Sequence, residues 1–99
     1  MGAMGIDEIL GSKRDEILRI AARHGVTSIR VFGSVARGEA GPESDVDFLI
    51  DAGSDVTPWF PGGLVADLEE LLGRRVDIVE TCALRPRLQP YVLAEAVPL

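Results

Sequence analysis

The sequence has little of what would mark a disulfide scaffold, a membrane protein or a nucleic-acid binder. It holds one cysteine, Cys82, which excludes an intrachain disulfide. With no export signal in view, a reducing cytoplasm is the expected compartment. It holds one histidine, His24, remote from Cys82 in sequence. Thiol catalysis therefore has no base at hand, and Cys82 is expected to be a small semi-buried residue. No second His or Cys stands near His24 to make a metal pair. No apolar run approaches the roughly 20 residues that span a bilayer. The start lacks the basic region and apolar core of a signal peptide. Ile6 stands where a myristoylation signal needs Ser or Thr. Basic residues are also scarce: 10 Lys and Arg against 16 Asp and Glu give a net charge of −6. That argues against direct binding to nucleic acid. It leaves open a nucleotide held through a metal, and an acidic chain suits a basic partner.

What is present reads as one domain over residues 1–99, with an ordinary 46% of hydrophobic residues. The repeated Met-Gly of residues 1–5 is expected to be disordered or a cloning remnant. A chain this short buries about two-thirds of its unfolded surface, so little remains for a separate recognition domain. No internal repeat or low-complexity tract appears.

Ile6 to Leu10 suggests a short helical turn, ended by Gly11. Ser12 then offers an N-cap with Asp15 as the capping-box acid. Lys13 to His24 carries Ile17, Leu18, Ile20 and Ala21 at helical spacing, and Gly25 closes it. His24 in the last turn suits the helix dipole. Thr27 to Phe32 predicts a first strand, Ser34 to Arg37 a short helix, and Asp45 to Asp51 a second strand. In that strand Val46, Phe48 and Ile50 face one way, and Asp45, Asp47, Leu49 and Asp51 the other. Ala52 to Gly63 is a Gly/Pro-rich loop whose Trp59 and Phe60 either tuck under the domain or mark a contact surface. Leu64 to Leu72 predicts a helix stopped by Gly73, Arg75 to Glu80 a third strand, and Gln89 to Ala96 a helix with Pro90 in its first turn.

Three groups of residues could carry chemistry. Asp45 and Asp47, two apart on a strand, project to one face about 6–7 Å apart. They could converge on a hard cation, which takes oxygen ligands and often shares them with phosphates. The plainer alternative is that Ser44-Asp45 caps a turn and Asp47 faces solvent. Gly33-Ser34 ends a strand, where glycine permits close backbone approach and a following helix start offers N–H groups to a phosphate. Asp77 sits mid-strand between Val76 and Ile78, out of place unless its face is functional or merely solvated. If its strand lies beside the second, Asp77 comes level with the other carboxylates and could act as a general base. Asp51, further along, is read as a strand-end charge.

Taken together, Gly33-Ser34-x-Ala36-Arg37-Gly38-Glu39, Ser44-Asp45-x-Asp47-Phe48-Leu49-Ile50 and Val76-Asp77-Ile78-Val79 resemble the minimal nucleotidyltransferases of the DNA polymerase β-like superfamily. The resemblance runs from about Ile17 to the C-terminus. It implies an α+β fold: a mixed three-stranded sheet with helices packed on it. It further implies that Gly33 and Ser34 bind the triphosphate, with Arg37 and Ser44 on the nucleotide side. Asp45, Asp47 and Asp77 would be both the catalytic acids and the ligands of Mg²⁺, as two ions, with Asp77 as the base. Arg37 could meet a phosphate or simply pair with Glu39. The donor would be ATP. Proteins of this size and type are typically antitoxins encoded beside a HEPN-domain ribonuclease toxin, and in some pairs they adenylylate a tyrosine of it. An antitoxin acting by binding alone, an antibiotic-type nucleotidyltransferase and a plain interaction module are the rival readings.

Overall fold

β-branched and aromatic residues alternating with polar ones build β1 (Val26–Phe32), β2 (Val46–Ala52) and β3 (Val76–Glu80). The computed structural model describes residues 2–99; Met1 lies outside the described residues. The sheet has four strands rather than three, in the order β3-β2-β1-β4. The addition is β4 (Val97–Pro98), which pairs antiparallel with β1 through Arg30↔Pro98 and Val31↔Val97. A two-residue strand is too short to show periodicity, and proline is tolerated there because it lies on the edge. β1 and β2 are antiparallel, whereas β2 and β3 are parallel, so the sheet is mixed.

Among the described residues five α-helices accompany the sheet: α1 (Ile6–Ile9), α2 (Arg14–Arg23), α3 (Gly33–Ala36), α4 (Gly62–Leu72) and α5 (Gln89–Glu95). The parallel β2–β3 step needs a crossover, and α4 supplies it. Gly73 ends α4 at φ +65°, a left-handed value suited to glycine. The start of α2 differs from expectation. Ser12 lies inside a 3₁₀ turn, Gly11–Lys13, that runs directly into α2, and no side chain caps the helix. Because Leu10 and Lys13 already have helical dihedrals, the extended N-cap conformation Ser12 would need does not arise. The reaching-back carboxylate is instead Glu8, which accepts the Gly5 N–H at 3.3 Å. Met4, from the segment expected to lie outside the fold, forms an antiparallel bridge with Ala40.

The core lies on the face of β1 and β2 that carries Ile29, Val31, Val46, Phe48 and Ile50. Ile17 and Ile20 of α2 and Leu64 and Leu68 of α4 cover it. The aromatic loop splits its pair: Phe60 packs against the core, and Trp59 is 91% exposed. Cys82 is exposed rather than semi-buried, because it lies in a short 3₁₀ turn after β3. Among the described residues, no helix is long and apolar enough to cross a membrane.

His24 has a larger structural part than a helix-end cation. Its Nδ1 is 2.7 Å from Thr57 Oγ1 and its Nε2 is 2.7 Å from Asp67 Oδ2, which ties the end of α2 to α4 and to the aromatic loop. The ring is nearly buried, at 12% exposure, so removing it leaves a cavity and takes away the partner of Thr57 Oγ1 and of the 43%-exposed Asp67 carboxylate. His24→Ala should lower stability by about 1–3 kcal/mol in urea unfolding. Asp67→Ala should also lower stability, since it leaves the Nε2 of that nearly buried ring without its partner.

Candidate active site

The C-terminal end of β1 and the N-terminal ends of β2 and β3 meet at one end of the sheet, and the sequence-predicted carboxylates gather there. In the ladder Asp47 is opposite Asp77, and Phe32, the last residue of β1, is opposite Asp47. Residues paired across a ladder project to the same face, so Asp47 and Asp77 stand side by side on the face away from the core, about 5 Å apart at the backbone. Asp45 immediately precedes β2 and is exposed. Asp47 is half-buried, and Asp77 is exposed.

Gly33 is the floor of this site. Its φ is +75°, and the space a side chain would fill is taken by the Asp47 carboxylate, whose Cγ would lie 3.2 Å from a Cβ. Only glycine meets both demands, the left-handed backbone and the contact. Ser34 follows at the first turn of α3 and is partly exposed. Ser44 lies one residue before Asp45. Its Oγ accepts the Gly41 N–H at 2.8 Å, and Arg74 donates to the Gly41 and Ser44 carbonyls at 2.9 and 3.1 Å. The turn that delivers Asp45 is thus fastened from both sides. Asp51 lies apart, at the far end of β2, 3.8 Å from Arg30.

Arg37 pairs with Glu39 at 3.3 Å, as the plainer expectation has it, but it makes a shorter bond elsewhere. Its Nη1 donates to Glu95 Oε1 at 2.6 Å, while Gly33 N–H donates to Glu95 Oε2 at 2.9 Å. Arg37 and the Gly33 N–H hold the Glu95 carboxyl below its usual pKa. Glu95 is a site residue that sequence reasoning missed. The tail was legible as a helix, but nothing local distinguishes one glutamate at its end, because its partners lie 58 and 62 residues away.

The electrostatics converge on Asp47. Burial first, then the charges of Asp77 and Asp45, raise its pKa, with Arg37 opposing them in part. An all-oxygen donor set strained by its own like charges fits a divalent cation such as Mg²⁺, which neutralises the repulsion that raises Asp47. Among the described residues no three His, Cys, Asp or Glu side chains are drawn closely enough to hold an ion alone.

The family model described as nucleotidyltransferase domain matches residues 14–97. A Thermococcus cleftensis protein named protein adenylyltransferase MntA is 40% identical over 92 residues, covering 93% of this chain and 90% of that protein. A solved structure provisionally described as a minimal nucleotidyltransferase is 48% identical, with a TM-score of 0.84 and 97% of each chain covered. A crystal structure of a toxin-antitoxin with AMP-PNP aligns at a TM-score of 0.71 and 21% identity, covering 85% of this chain and 69% of that one, a likeness of fold.

The raised Asp47 pKa has a consequence for stability. A carboxyl whose folded pKa lies above its unfolded value opposes folding once it ionises. Its protonated form favours the fold at acid pH, and that advantage is lost as pH rises through the folded pKa. Asp47→Asn should therefore unfold at a higher temperature than the parent in metal-free buffer at neutral pH. The difference should shrink as pH falls below the ordinary carboxylate range, which thermal melts across a pH series would read.

Proposed function

Because the chain belongs to the nucleotidyltransferase domain family, we propose that it transfers AMP from ATP to a hydroxyl, releasing pyrophosphate. The acceptor is a tyrosine of a partner HEPN-domain ribonuclease, and the modification silences that toxin. The observation that carries the reaction class is the pairing of Asp47 with Asp77, with the Asp47 carboxylate lying against Gly33. It sets acidic ligands for a cation beside a backbone donor for a phosphate. The protein acceptor is supported by a relative of nearly the same length that is named a protein adenylyltransferase. The toxin partner is supported at the level of fold, by the toxin-antitoxin neighbour.

Each residue then has a task. Gly33 N–H and the Ser34 hydroxyl donate to triphosphate oxygens, and Arg37 supplies the positive charge among them. Ser44 orders the turn that presents Asp45. Asp45 and Asp47, with Asp77 beside them, would hold two Mg²⁺ ions, which when bound supply charge stabilisation to in-line displacement at the α-phosphate. Asp77, exposed beside Asp47, accepts the proton of the attacking hydroxyl. Inward faces of β1, β2 and α4 keep the sheet rigid beneath these groups, which is what positioning requires.

Incubation of the toxin with this protein and Mg·ATP should raise the toxin's intact mass by one or more AMP units. Asp45→Asn combined with Asp47→Asn should abolish that gain while circular dichroism stays native. Protection of cells by the double variant, with no label transferred, would instead mean neutralisation by binding alone. Ser34→Ala should weaken nucleotide binding by about 0.5–1.5 kcal/mol, read by calorimetry with a non-hydrolysable triphosphate.

A further inference from the structure

Glu95 occupies the place that an incoming phosphate would claim. Its two oxygens take the Gly33 N–H at 2.9 Å and the Arg37 guanidinium at 2.6 Å. A backbone N–H at a glycine bend and a guanidinium are the donors a phosphate's non-bridging oxygens use. Here a carboxylate from the chain's last helix holds both. The arrangement goes beyond fixing Arg37, because Glu39 already pairs with Arg37 Nε at 3.3 Å, and the Gly33 N–H needs no partner to orient it. None of the residues of α5 is buried, and the Glu95 side chain is already 27% exposed. β4, two residues on, ties the chain to β1, so Glu95 withdraws by turning its side chain, which disturbs little packing and returns the carboxylate to water.

We propose that Glu95 is an internal competitor for the triphosphate: its carboxylate fills the donor position on Gly33 and Arg37, and nucleotide binding displaces it. The inference rests on the reading that Gly33 and Arg37 hold the triphosphate. The exchange swaps one anion for another on the same donors. The apparent nucleotide affinity is then the intrinsic affinity scaled by the fraction of molecules with Glu95 withdrawn. Glu95 thereby sets the ATP concentration at which the site fills.

Calorimetric titration of the full chain with Mg·AMP-PNP tests this without any turnover. Glu95→Gln should bind about tenfold more tightly than the parent, the order expected for losing one charged competing hydrogen bond. Glu95→Asp should also tighten binding, because it keeps the charge but falls short by a methylene. Glu39→Gln, which removes a charge beside Arg37 without touching Gly33, should change binding far less. In the nucleotide-free protein the Gly33 amide resonance should move in both Glu95 variants, an observation that does not depend on nucleotide. Equal or weaker binding by Glu95→Gln and Glu95→Asp, or an unmoved Gly33 resonance, would overturn the proposal while leaving the nucleotide site in place. Tightening by Glu39→Gln as large as that by Glu95→Gln would reduce the effect to general charge and overturn it too. Absence of binding by every form, the parent included, would instead remove the nucleotide reading, and this proposal with it.

Discussion

Like-charged carboxylates held at one end of a sheet repel one another, and the fold has to hold them there nonetheless. The raised pKa of Asp47, driven by burial and by Asp77 and Asp45, is the sign of that strain. Several features hold the acids in place. The Gly33 bend leaves room for the Asp47 carboxylate. Arg74 clamps the turn before Asp45. Val46 N–H donates to the Arg75 carbonyl, which fixes the start of β2 against the chain entering β3, and Glu69 accepts the Val76 N–H, which ties the start of β3 to α4. A site that is electrostatically unfavourable by itself is held by backbone hydrogen bonds and by the apolar packing on the reverse face.

That reverse face is why register matters so much. Along β2 the chain alternates: Val46, Phe48 and Ile50 are fully buried in the core, and Asp45 and Asp47 point away from it. A slip of one residue would push the carboxylates into the core and expose three apolar side chains. The hydrophobic pattern and the carboxylate pattern are therefore one pattern read from two sides. Leu49 shows the limit of that division. It lies on the carboxylate face yet is fully buried, so the site face carries some packing of its own.

The parts legible in the sequence follow from this coupling. Alternation in Val46–Ile50 and Val76–Glu80 set both the strands and the side on which the acids stand. The expectation that Asp77 comes level with Asp47 needed only adjacency of the two strands, and the ladder pairs those residues. The misses have a common cause. Local chemistry predicts a cap at Ser12, yet that residue lies inside a 3₁₀ turn whose backbone leaves no place for one. β4 is two residues long and is defined by its partner in β1 rather than by its own composition. His24 and Glu95 owe their roles to partners 33 to 62 residues away, and no window of sequence brings those partners together. What depends on periodicity was readable; what depends on a single long-range hydrogen bond was not.

Rigidity is distributed unevenly in a way that bears on how such a site is controlled. Asp47 and Asp77 sit on paired strands backed by the core, with Gly33 immediately after β1, and such strands are the portion of a small domain that opens least. Glu95 sits at the end of a helix with no buried residue, between that helix and β4, which pairs with β1. Its side chain, 27% exposed, can turn toward or away from the Gly33 and Arg37 donors without changing the shape of the carboxylate set. The geometry of Asp45, Asp47 and Asp77 remains a property of the sheet.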